Sequence, residues 1–283
     1  MIHSVHFCIF STNLLRMSDR SRWQNLGWHH PVWNLVRYYC SLRTGREKER
    51  WLDQLRDENC MNVSNGESFH MDKEHVNLLL QYLDFRQKEL ERVYALLRNE
   101  RQALKFCKQL GVTVSKTKTR NQDHHQSSKA LIAAVTAITR TVCERKGVDF
   151  NPNPQTRCVW CSKRGLHVTA RNLDGAIPAL ANPTIIWEIK EYWGLTSGGS
   201  KMSDAVYETN LVGSELREFE EHTGVKVVHV FFLDGQQQWS VRKADLLRFV
   251  DLMHQGLIDY LLVGREVETQ WENILASLLE PRS

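Results

Sequence analysis

The segment Ile185-Ile-Trp-Glu188-Ile-Lys190 limits the possible folds of this chain more than any other. Side chains alternate between the two faces of a strand, so Trp187 and Ile189 share one face while Glu188 and Lys190 share the other. A stretch with this many large apolar residues belongs in a sheet covered on both sides. Placing a carboxylate and an ammonium there costs several kcal/mol unless they are paired or hold a metal. The strand therefore demands both an α/β setting and a chemical reason for its two charges.

The flanking pattern supplies the setting. Residues 165–174 and 184–193 read as strands joined by a turn that starts at Gly175. Helices follow at 204–222, 243–254 and 266–279, with β-branched strands at 225–233 and 258–263 between them, and an Ala/Ile/Val/Thr-rich helix at 130–145 precedes the hairpin. This order predicts a mixed, four-stranded α/β sheet flanked by helices. Upstream, residues 18–112 form an α-helical region. Trp23, Trp28, Trp33 and Trp51 act as aromatic anchors of short helices, and apolar residues at three- and four-residue intervals over 71–110 mark one long amphipathic helix or two end to end. Such a helix also offers a face for a homodimer. Residues 113–128 are basic and contain little to pack, so they read as a linker ahead of a domain at 129–283. Residues 1–17 read as an upstream extension, because the stretch after Met17 looks more like a protein start.

Hydrophobic residues make up 42% of the 283, enough for one large domain or two smaller ones. The net charge of +4 hides an imbalance: residues 1–150 carry 24 basic and 16 acidic side chains, and the remainder 13 and 17. One half suits a polyanion, and the other has carboxylates to spare for a cation. Seven scattered cysteines argue against a secreted disulfide framework, and no apolar run is long enough to span a membrane, so the expectation is a cytoplasmic protein.

If the two hairpin strands are antiparallel, Asp174 approaches Glu188, and two adjacent carboxylates make a hard oxygen site suited to magnesium or manganese. Asp174 followed after thirteen residues by Glu188-x-Lys190 resembles the PD-(D/E)xK phosphodiesterase superfamily, which includes restriction endonucleases and DNA repair nucleases. The likeness covers about 130–263 and extends to the order of elements; Leu173 stands where the family usually has proline. The resemblance implies a restriction endonuclease-like sheet. It implies metal ligation by Asp174, Glu188 and the Ile189 carbonyl, with Lys190 acting on the attacking water. Members often add an acid from the helix before the hairpin, and Glu144 is the acid available there; its alternative is a solvated place in the last turn.

Three other features bear on partners. Lys116, Lys118 and Arg120 in the basic segment, and Lys201 at the end of the Gly/Ser-rich stretch 194–201, are candidates for phosphate contact. Cys158-Val-Trp-Cys161 is either half of a zinc site or a reduced structural pair. The expected function is a metal-dependent endonuclease on double-stranded DNA, in restriction or phage defence, with a motor protein or methyltransferase as a conceivable partner. The alternative is a non-cleaving DNA-binding or interaction protein on the same fold.

Overall fold

The computed structural model describes residues 22–62, 67–116, 127–194 and 199–280, without the side chains of 199–200. The expected extension at 1–17 lies outside the described residues. The chain divides into two compact units, Met1–Glu89 with His254–Gly256, and Leu90–Met253 with Leu257–Ser283.

The first unit contains helices α1 (Val32–Ser41) and α2 (Gly45–Glu58), the antiparallel pair β1 (Cys60–Asn62) and β2 (Ser68–His70), and most of helix α3 (Lys73–Leu96). Helix α2 starts at a capping box. The Glu47 N–H donates to the Thr44 hydroxyl, and the Glu47 carboxylate accepts from the Thr44 N–H at 2.8 Å, which satisfies two donors the first turn leaves open. The core is aromatic, as expected from the tryptophans. Trp23 and Trp33 both meet the Tyr82 ring edge-on, at centroid distances of 5.0 and 5.1 Å, and Trp51 is buried with them.

The second unit holds α4 (Glu100–Gln109), α5 (Ala130–Lys146), the hairpin β3 (Val159–Ser162) and β4 (Gly165–Val168), and a four-stranded sheet. The sheet runs β5 (Gly175–Ile177), β6 (Ile185–Glu191), β7 (Val228–Asp234), β8 (Tyr260–Val263); β5 is antiparallel to β6, and β6, β7 and β8 are parallel. Helices α6 (Gly199–Thr223), α7 (Gln236–Val241), α8 (Lys243–His254), α9 (Arg265–Thr269) and α10 (Trp271–Leu278) complete it. The unit is mixed α/β, in agreement with the sequence pattern.

Alternation along β6 divides the core into two. Ile185, Trp187 and Ile189 pack with Ala134, Val135 and Ile138 of α5 and with Trp271 and Leu275 of α10. Ile186 packs the other way, against Val212, Leu216 and Phe219 of α6. Glu188 and Lys190 therefore lie on the α6 side of the sheet.

Residues 71–110 form two helices end to end, one of the two arrangements expected, with the break where Asn99 caps α4 by accepting from the Gln102 N–H. Two expectations differ from the structure. Ala103 and Cys107 of α4 share a core with α5, so the elements on both sides of the basic segment belong to one unit, and the division between units falls earlier, at Glu89 and Leu90. The strand expected at 165–174 is formed only over its first four residues. Gly165–Val168 pairs with β3, and the strand that pairs with β6 begins only at Gly175. No helix among the described residues is long and apolar enough to cross a membrane.

Candidate functional site

The geometry of the site starts at Gly175. It stands opposite Trp187 in the β5–β6 register, and a Cβ there would fall inside the Trp187 ring. Only glycine lets the indole lie flat across the neighbouring strand. That packing brings the preceding residue, Asp174, level with Glu188. The Asp174 N–H donates to the Trp187 carbonyl at 3.0 Å, and its Oδ2 accepts from the Ile189 N–H at 2.7 Å. Asp174, Glu188, Ile189 and Lys190 are thus brought together as the sequence anticipated, although Asp174 immediately precedes β5 instead of closing a longer strand.

Glu188 is the most buried member, with 1% of its side chain exposed, yet neither carboxylate oxygen has a hydrogen-bond partner among the described residues. Basic groups surround it at longer range. Lys190 Nζ lies 3.9 Å and Arg171 Nη1 3.8 Å from Oε2, and His229 Nε2 lies 3.6 Å from Oε1. The Leu257 carbonyl, 3.0 Å from His229 Nδ1, can only accept, so it keeps a proton on Nδ1 and turns Nε2 toward Glu188. Glu208 of α6 closes the cluster, contacting Arg171 and standing 3.6 Å from Lys190 Nζ.

These neighbours pull the groups apart in acidity. Burial works to raise Glu188, but His229, Lys190 and Arg171 together hold it below the usual carboxylate range. For Asp174 burial prevails and the carboxyl is shifted up, against the Ile189 N–H and Lys190. Burial also lowers Lys190, despite the opposing pull of Glu188. Tyr192, two residues on and on the same face, is pushed up to about 12 by burial. Neighbouring groups driven in opposite directions mark places where proton transfer and charge stabilisation are arranged.

Other expected site residues lie elsewhere. Glu144 is exposed in the last turn of α5, and α5 packs on the Trp187 face of the sheet, so it is not brought to Glu188. Cys158 and Cys161 are three residues apart along an extended segment and so face opposite ways; Cys158 is in the core and Cys161 is exposed. Burial raises the Cys158 thiol to about 11. Lys116 is exposed at an isolated bridge to Ser128, and Lys201 is exposed in the first turns of α6. Lys118 and Arg120 lie outside the described residues.

The sequence reading did not single out Arg171, Glu208 or His229 as site residues. His229 carried a signal, since a polar residue inside Val228-His-Val-Phe-Phe repeats the anomaly of Glu188 one strand away. Arg171 and Glu208 carried none, because a bend and a helix position bring them in.

Residues 87–278 match the family model described as Domain of unknown function (DUF7687). The match begins close to Leu90, where the second unit begins, and contains every residue of the carboxylate cluster. No curated protein and no solved structure matches the chain.

Proposed function

We propose that this chain, which belongs to the DUF7687 family, a domain of unknown function, is a metal-dependent phosphodiesterase of the PD-(D/E)xK type that cleaves double-stranded DNA. The observation that carries the reading is the buried Glu188 carboxylate without a hydrogen-bond partner among the described residues, held across the strand pair from Asp174. A buried carboxylate normally accepts several hydrogen bonds. One that accepts none, on a face where the rest of the sheet is well packed, is suited to a cation. The order β5, β6, α6, β7, with Asp174 at the antiparallel pair and the parallel strand following the helix, agrees with a restriction endonuclease-like core.

The residues fit a hard divalent ion such as magnesium or manganese. Asp174 and Glu188 supply anionic oxygen, and the Ile189 carbonyl is the further ligand that the resemblance implies. Among the described residues no three His, Cys, Asp or Glu side chains converge as a ready-made cluster. Two carboxylates suit magnesium, which keeps several waters and shares substrate phosphate oxygens. When bound, such an ion lowers the pKa of its water and offsets charge building on the phosphate.

The protein's own groups do the rest. Lys190, its pKa lowered by burial, is placed to orient the attacking water and hold its proton. Asp174 is fixed by the Ile189 N–H, so its carboxylate need not reorganise. The basic excess before residue 150 and the exposed Lys116 and Lys201 support a polyanionic substrate. A cytoplasmic role in restriction or phage defence, acting as a homodimer, is the biological setting of this proposal.

The experiment is digestion of plasmid DNA with magnesium or manganese. Wild-type protein converts supercoiled to linear DNA, and Asp174→Ala does not. Binding without cleavage in either metal would instead indicate a non-cleaving protein on this fold, and full cleavage by Asp174→Ala would remove the assigned site.

A further inference from the structure

Four charged side chains on the α6 side of β6 have an arrangement that the metal site alone does not require. Arg171 Nη1 and Lys190 Nζ lie 3.8 and 3.9 Å from the same oxygen, Oε2 of Glu188. Both cations also meet a single oxygen on their outer side, Oε2 of Glu208, Lys190 at 3.6 Å and Arg171 in direct contact. The pair of cations is therefore sandwiched between two carboxylates. The two acids differ sharply in burial: 1% of the Glu188 side chain is exposed but 43% of Glu208. Only Glu208 can swing into water without leaving a charge in the core. Arg171 has a further need, since its Nε is buried and has no hydrogen-bond partner among the described residues. A guanidinium presents a planar fork of donors matched to two oxygens of one phosphate, and one carboxylate contact does not satisfy it.

Resting on the phosphodiesterase reading above, we infer that Arg171 and Lys190 form a cradle for the scissile phosphate, and that Glu208 occupies it in the substrate-free protein. A phosphodiester is an anion whose paired oxygens can take the place of the Glu208 carboxylate. Its arrival displaces Glu208 toward solvent, and the Glu188 carboxylate stays behind the cations. Arg171 thereby becomes a catalytic residue that touches the substrate, and Glu208 becomes an internal competitor. A structural explanation, in which Arg171 only neutralises Glu188, gives Glu208 no influence on DNA.

The test is fluorescence anisotropy of a labelled duplex of about 30 base pairs, titrated with full-length protein in calcium, which permits binding without turnover, between about 50 and 200 mM salt. Arg171→Gln weakens binding about tenfold and reduces the slope of log affinity against log salt by about one, the signature of one lost phosphate contact. Glu208→Gln does the opposite and tightens binding several-fold. Arg171→Lys, which keeps the charge but loses the fork, falls between them and guards against a fold defect in the glutamine variant. Unchanged affinity and slope in Arg171→Gln overturn the inference, as does weakening by Glu208→Gln, which would make that carboxylate a ligand. Cleavage in magnesium separates the two readings. If wild type cleaves and Arg171→Gln binds and cleaves equally well, the cradle falls and the phosphodiesterase stands. If the two variants shift binding in opposite directions but wild type cleaves in neither magnesium nor manganese, the cradle stands and hydrolysis falls. Absence of DNA binding by wild type removes both.

Discussion

Two buried charge clusters in the second unit are built on opposite terms. At the end of β7, Arg98 is fully buried and its bonds are short: its backbone N–H and Nε donate to the two Asp234 oxygens at 2.7 Å, and Nη1 donates to Glu268 at 2.6 Å. On β6, Glu188 is as deeply buried, but its basic neighbours stand at 3.6 to 3.9 Å and its oxygens accept no hydrogen bond among the described residues. A buried ion pair holds a fold together only when geometry and hydrogen bonds offset the desolvation of both charges. The Arg98 cluster meets that condition apart from Nη2, and the Glu188 cluster does not. The first is an internal brace; under the proposed function the second is shaped for a partner that arrives from outside.

Mutation separates them by the quantity that moves. Glu188→Gln lowers DNA cleavage by at least about a thousandfold, equivalent to roughly 4 kcal/mol of transition-state stabilisation. It leaves the unfolding midpoint within a few degrees of wild type, since neither carboxylate oxygen accepts a hydrogen bond among the described residues. Loss of folding together with activity would make Glu188 a brace like Arg98. Arg98→Met acts the other way, costing about 3 to 5 kcal/mol of stability in denaturant unfolding by leaving Asp234 buried and unpaired. A variant as stable as wild type would break the distinction from that side.

Glu191 extends the comparison to pH. It accepts from the Leu131 N–H at 2.7 Å at the start of α5, and burial raises its pKa to about 7. The folded protein therefore holds this proton more tightly than the unfolded chain, whose ordinary value is 4.5. The stability tied to it is complete at low pH and is lost as pH rises from about 4.5 through 7, by up to about 3 kcal/mol. Glu191→Gln keeps an acceptor for the Leu131 N–H without the ionisation, so its stability is flatter across that window. An unchanged pH dependence contradicts the assignment. The smallest effect belongs to the rim: Lys116→Ala weakens DNA binding about two- to threefold and evenly across sequences, measured by anisotropy.

Much of this was legible in the sequence because it depended on local alternation. The helix at 243–254, the helix over α5 and the charged face of β6 follow from periods of 3.6 and 2. The carboxylate pair was legible because an acid in an apolar strand is costly and so conspicuous. Contacts made across the fold were less accessible. The segment 165–174 alternates well enough to pass for one strand, and only the pairing of Gly165–Val168 with β3 shows where it ends. Glu144 looked suitable because it precedes the hairpin, but the face on which α5 packs depends on Ile138 and Val142 docking near Trp187. Arg171 and Glu208 are separated by 37 positions and meet only in three dimensions.

The central claim is that Glu188 of β6 and Asp174, the residue before β5, hold a divalent cation. Manganese binding, followed by the loss of its free-ion electron paramagnetic resonance signal on titration with protein, tests it most directly. One saturable site in wild type that disappears in both Asp174→Asn and Glu188→Gln is the predicted result; no site in wild type, or an equal site in all three proteins, contradicts it.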